Sequence, residues 1–230
     1  DGVGKIFYVT RSGGSWSGAE AVSDSGDNDT PSIAWGGGCA HVVWLNEEDP
    51  GDSDNEIRYR RRCTGGWDPV DGLYSASSLP PYKPAIAAAD GTVFITWDIK
   101  YESAGGTWPA TYALLYRRSN DNGENFEYYR EVGTDLEATD WHQYTDYQAG
   151  DEKGSYLEYL QPAIGLNPAG WPVVTWHSAG IDTSGDEVGV YYSYAISGTS
   201  SAISWSAPAR LTQKEEGVTS VGAGTPISAT

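Results

Sequence analysis

Methionine is absent from this chain, and cysteine (two), histidine (three) and phenylalanine (three) are scarce among its 230 residues. Each shortage narrows the field. Without methionine, Asp1 is no translational start, and the opening Asp1-Gly2-Val3-Gly4-Lys5 is no signal peptide, so the expectation is a mature product, a fragment or a domain of something longer. Two cysteines make no disulfide-dense scaffold, and a chain this long can bury a sizeable core without one. Basic residues are outnumbered, Lys+Arg 14 against Asp+Glu 32, for a net charge of -18. Such an excess repels phosphate backbones and anionic lipid, which excludes general nucleic-acid binding. No apolar run approaches the ~20 residues a membrane-spanning helix needs, so no membrane insertion is expected.

What is plentiful is turn and ring: 29 Gly, 12 Pro, 16 Tyr and 10 Trp. That composition suits many short strands joined by tight turns. Self-similarity organises them. Pro31-Ser32-Ile33-Ala34-Trp35 leads to Val42-Val43-Trp44; Pro84-Ala85-Ile86-Ala87-Ala88 leads to Phe94-Ile95-Thr96-Trp97; Pro162-Ala163-Ile164-Gly165-Leu166 leads to Val173-Val174-Thr175-Trp176. After each comes a Tyr-bearing strand (56–62, 111–118, 188–194), then a turn and a further aromatic, Trp67, Phe126 or Trp205. The repeat reads as four strands, A to D, patterned with period two. Residues 5–22 match a C–D half, the units cover about 31–70, 84–132 and 162–212, and residues 225–230 open a further A strand with Thr225-Pro226-Ile227. The expected fold is all-β: a β-propeller of four-stranded antiparallel blades, three complete and one partial at each end. The mixed end unit lacks its B strand, which predicts a fragment or an incomplete propeller, with self-association through open blade edges as one consequence.

One unit carries Ser119-Asn120-Asp121-Asn122-Gly123-Glu124-Asn125-Phe126 between strands C and D. This resembles the Asp-box (Ser-x-Asp-x-Gly-x-x-Trp/Phe) of the BNR, sialidase-like β-propellers, where the motif occupies that same turn. The other copies, Cys63-Thr64-Gly65-Gly66-Trp67 and Ser197-Gly198-Thr199 to Trp205, keep turn and aromatic but lose the aspartate. The resemblance is to a divergent member. It assigns Asp121, Gly123 and Phe126 structural work: a carboxylate bonding backbone N–H groups, a positive φ, and a ring packed between sheets. Cys39 and Cys63 fall at the A–B and C–D turns of one unit, on one face, and are expected to join as a disulfide; the chain is then extracellular or at the cell surface.

Up-down topology sends the B–C and D–A connections to the opposite face, and these are long. There the acidic stretch from Asn46 offers Asp52, Asp54 and Glu56 as oxygen ligands at a spacing calcium can use, the one cofactor the sequence suggests. Solvation or salt adaptation explains the same acidity. Trp108, Trp141, Tyr144 and Tyr147, with Tyr101, Tyr156 and Tyr159, set rings beside carboxylates, the chemistry of a sugar site; packing of a long loop explains them equally. His41 reads as a packed strand residue, whereas His142 and His177, with Asp140 or Asp182, could form a transition-metal site.

A sialidase needs three arginines converging on a carboxylate, and the family's opening Arg-Ile-Pro is absent. Arg58, Arg60, Arg61, Arg62, Arg117 and Arg118 are expected near the C–D turns, away from the long connections. No catalytic set transfers; Asp98 and Glu47, just past the B-strand tryptophans, are the generic carboxylates available. Three functions follow: an extracellular non-catalytic module binding glycan or protein; a sialidase-like glycoside hydrolase; a structural subunit of a surface assembly.

Overall fold

The computed structural model describes residues 3–47, 55–76, 79–101, 111–132, 161–179, 188–198 and 203–212. Among them every regular element is a β-strand. The first sheet runs A–B–C–D as Asp27–Gly36, Cys39–Glu47, Glu56–Cys63 and Gly66–Trp67, and Asp71–Ser75 extends the pairing on strand C. The second is Pro81–Ala89, Thr92–Tyr101, Thr111–Ser119 and Arg130–Glu131. The third is Ala163–Leu166, Pro172–Ala179, Val188–Gly198 and Ile203–Trp205, with Ala209–Arg210 also on strand C. All pairings are antiparallel, and along each A–B–C–D path they join sequence neighbours. Ahead of them Phe7–Tyr8 pairs with Glu20–Ala21 and Arg11–Ser12 with Ser15–Trp16, forming a hairpin that turns at Gly13 and Gly14. All-β architecture with repeated four-stranded antiparallel sheets is thus established; among the described residues no closed ring is observed.

Two-residue turns with positive φ at both positions match the twist of the strands they join, which is why Gly37-Gly38 and Asp90-Gly91 close the first two A–B hairpins. The B strands are central, and in the first two sheets they bury both faces. In the first sheet Val43 and Leu45 face the second sheet, packing with Ile57 and Tyr59 against Ile95 and Trp97. Val42 and Trp44 face the other way, onto Ile6, Tyr8 and Val22 of the hairpin. Phe94, Leu114 and Tyr116 then pack the second sheet on Val174, Trp176 and Trp205 of the third. Full burial of a tryptophan at the same B-strand place in each sheet (Trp44, Trp97, Trp176) is the repeat made physical.

Two details differ from the sequence reading. In the first two sheets the repeated proline does not start the A strand: pairing begins at Asp27 and Pro81, and skips a step between Asp29 and Ser32 and between Tyr82 and Ala85, whereas in the third it begins at Ala163, directly after Pro162. A proline has no N–H to give the ladder, so the strand bulges there instead of ending. The B strands also run on beyond their tryptophans, to Glu47, Tyr101 and Ala179.

Candidate functional site at the long-connection end

The bulges define the most distinctive feature of this end. In all three sheets the residue before the A-strand proline has positive φ: Thr30 at 45°, Lys83 at 25° and Gln161 at 48°. None is glycine, and such a conformation costs on the order of 1–3 kcal/mol. Its recurrence in three sheets marks it as a property of the repeat. Together these three segments, bulged in the first two sheets, line a groove of about 410 Å³, walled by Pro31, Pro84 and Pro162 with Ile86 and Ile164, and carrying Ser32, Lys83 and Gln161. Among the described residues no carboxylate lines it, in a chain whose net charge is -18.

Carboxylates gather beside this groove at the edge of the first sheet. Glu47 is paired across the ladder with Asp27. Burial pushes the Glu47 carboxyl above the usual range, and the negative charges of Asp27 and Asp29 push it further. Asp27 is itself tied down, its Oδ1 accepting the Gly4 N–H at 2.6 Å. Glu56 meets Arg58, Nε to Oε2 2.7 Å, so a calcium ion using that oxygen would have to displace the ion pair. Its expected co-ligands Asp52 and Asp54 lie outside the described residues, as do Trp108, Trp141, Tyr144, Tyr147 and His142. Among the described residues no three His, Cys, Asp or Glu side chains converge as a metal site.

Asp98 departs from expectation. It stands inside strand B, opposite Leu114, and is fully buried, because the ladder continues past Trp97 to Tyr101. Glu47 lies in the first sheet and Asp98 in the second. Arg58 also departs: opposite Trp44 near the start of strand C, it pairs with Asp24 and Glu56 toward the long-connection end. The chain enters strand C from that end, so its first arginine belongs there.

Sequence reasoning missed the polar network under this end. Trp44 Nε1 donates to Asn28 Oδ1 at 2.8 Å, and Asn46 Nδ2 donates to the same oxygen at 3.0 Å. Asn28 Nδ2 in turn reaches the carbonyls of Gly4, Ser25 and Gly26. Two buried asparagines thereby fix the D–A crossing onto strand B. Nothing in their spacing advertises this; an asparagine in an acidic stretch reads as solvent-facing.

The opposite end is held by turn chemistry. Asp121 accepts Ser119 Oγ at 2.6 Å, the Asn125 N–H at 2.9 Å and Asn125 Nδ2 at 2.8 Å, which pulls its carboxyl down to about 2. Gly123 takes φ +81° and a Cβ there would strike the Tyr59 hydroxyl. Phe126 meets Tyr59 edge-on at 4.9 Å. Cys39 and Cys63 form a disulfide, Cα–Cα 4.4 Å, across the two turns of the first sheet. His41 is buried with Nδ1 accepting from Tyr59 Oη at 2.7 Å and Nε2 donating to Gly36 O at 3.1 Å, and burial keeps it neutral. His177 is half-buried on strand B of the third sheet.

The remaining arginines act as clamps. Arg62 grips Glu20 at 2.9 and 3.0 Å, and Arg60 donates to Val22 O at 2.9 Å, both holding the hairpin. Arg61 reaches Asp68 and the Asn122 carbonyl, Arg117 the carbonyls of Leu73 and Glu127, and Arg118 both oxygens of Glu127.

No family model matches the chain, and no curated protein matches it. Among solved structures, a xylan β-1,4-xylosidase from Bacillus halodurans C-125 is similar over 73% of this chain and 29% of its own, at 10% identity and a TM-score of 0.42. The chain thus spans less than a third of that enzyme, too distant a likeness to transfer anything from it.

Proposed function

We propose that this chain is an extracellular recognition module, a divergent Asp-box β-propeller segment that binds glycan or protein without catalysis at its long-connection end. The groove lined by the three recurring positive-φ segments supports this reading best. Strained, repeated backbone around a concavity is a binding arrangement. The six arginines of strands C support it over a sialidase-like hydrolase, since each guanidinium is engaged in holding one segment to another, Arg58 through Asp24. The disulfide supports an oxidising, extracellular setting.

A glycan array probed with the chain tests the proposal. Binding is expected, with Trp141→Ala abolishing it and leaving the melting temperature unchanged. A raised melting temperature on adding calcium, lost in an Asp52→Asn/Asp54→Asn variant, would add the ion to the site. Cleavage of a chromogenic glycoside that Glu47→Gln removes would overturn the non-catalytic reading in favour of the hydrolase. Neither binding nor cleavage would leave the surface-assembly role.

A further inference from the structure

Asn122 is the chain's one asparagine followed by glycine. That pair is chemically labile in water: with no Cβ on the glycine, its backbone nitrogen can reach the carbonyl carbon of the asparagine side chain. Here the pair lies in the Ser119–Phe126 turn, both residues at positive φ, +61° and +81°. The Asp-box resemblance gives work to Asp121 and Gly123 and none to the residue between them. The structure does give it work. Asn122 Nδ2 donates to Gly37 O and to Cys39 Sγ, each at 3.3 Å, and both partners belong to the first sheet. Arg61, also of the first sheet, donates from Nη1 to Asn122 O at 2.9 Å.

The attacking nitrogen is restrained as well. The Gly123 N–H donates to Ser119 Oγ at 2.8 Å, in buried surroundings. Within the second sheet the Asn122 N–H donates to Gly91 O at 2.6 Å. One reacting group is therefore held by the neighbouring sheet and the other inside the turn. Their approach requires the turn to leave the first sheet, so the reaction rate follows the small population in which that joint is open.

We propose that Asn122 is a self-modification site, a deamidation gated by the joint between the first and second sheets. When the joint opens, Gly123 N attacks Asn122 Cγ and gives up its proton. The new N–Cγ bond closes a succinimide ring as the Cγ–Nδ2 bond breaks, and Nδ2 departs with that proton as ammonia. Water then opens the ring at either carbonyl, leaving aspartate or isoaspartate; no oxidant, reductant or cofactor takes part. Either product replaces a donor by a carboxylate, which cannot donate to Gly37 O or Cys39 Sγ. It also adds negative charge beside Asp121 and near Glu124, whose Oε1 is 3.4 Å from Arg61 Nη1. Isoaspartate further lengthens the main chain ahead of Gly123 and draws its N–H away from Ser119. Modification thus makes an opening of this joint permanent. This stands independently of what the long-connection end binds.

Peptide mapping of the full chain tests it. The oxidised chain, the chain with reductant and the chain unfolded in urea are incubated at mildly alkaline pH, and the tryptic peptide Ser119–Arg130 is sequenced by mass spectrometry. Asn120 and Asn125 lie in the same peptide, followed by Asp121 and Phe126, and serve as internal controls. Conversion is expected at Asn122 alone, fastest in urea, slower with reductant and slowest in the oxidised chain. Arg61→Ala, which removes one charged hydrogen bond across the joint, should speed conversion in the folded chain about tenfold. If that variant shows no cooperative melt, the reductant arm alone decides the gating. Conversion as fast in the oxidised chain as in urea, or conversion in neither, overturns the proposal, as does a rate that no opening of the joint changes. Asn122→Asp tests the consequence: a melting temperature lower by several degrees is expected, and an unchanged one overturns the permanent opening.

Discussion

The first and second sheets meet in one way, the second and third in another, although the same repeat builds both joints. At the first joint the Ser119–Phe126 turn reaches across: Asn122 Nδ2 donates to Gly37 O at 3.3 Å and Arg61 to Asn122 O at 2.9 Å. Gly36 lies so close to Ala88 that a Cβ would collide with it. At the second joint rings carry the contact, Tyr116 edge-on to Trp205 at 5.3 Å. Beside them a cleft of about 660 Å³ opens, lined by Ala87 to Ala89, Arg118, Asn120 and Trp171. Strand patterning brings the sheets together; the turn with its aspartate and glycine locks one joint and not the other.

Removing the disulfide should separate the two joints most. The Cys39→Ser/Cys63→Ser chain frees a loop with a sequence separation of 24. It should lose about 3 kcal/mol in urea unfolding, with a reductant costing the parent chain a similar amount. An unchanged midpoint would mean that the turns of the first sheet hold themselves.

A pair of glycines sharpens the contrast. Gly123 and Gly170 have nearly the same φ, +81° and +80°, but a Cβ on Gly123 meets Tyr59 while one on Gly170 meets nothing within 4 Å. Gly170→Ala should therefore cost about 1 kcal/mol from backbone alone, and Gly123→Ala about 2–3 kcal/mol. Equal losses would show that the locked joint yields as readily as the open one.

The smallest effect is in acid. The Asp121 carboxyl, at about 2 in the fold, lies below the value of about 3.9 expected when unfolded. Its contribution is fully present above pH ~4 and disappears as pH falls toward 2. The side chain is exposed, so solvent screening reduces the contribution to about 1 kcal/mol. Stability against pH should show that step in the parent chain and lack it in Asp121→Asn.

Much of the fold was legible in advance because strands announce themselves by period two and by turn residues. Pro-x-Ile followed by a β-branched run and tryptophan located the A and B strands, and Gly37-Gly38 and Asp90-Gly91 the turns between them. The site was less legible. The prolines read as strand starts because a proline signals an edge, and only the pairing shows two of them inside a bulge. Asp98 read as lying just past strand B because the repeated run ends in Trp97, and the ladder to Tyr101 buries it. Asn28 and Asn46 looked like solvent-facing residues of an acidic stretch.

What the sequence determines by itself, then, is local: which residues extend, where the chain reverses, and which faces of each strand are apolar, since all of these depend on neighbours a few positions apart. The tertiary structure decides which apolar faces find a partner. Ile86 and Ile33 hold the same place in the same repeat, and one is buried while the other lies open. Burial depends on the sheet that comes before, which no residue within the repeat can specify.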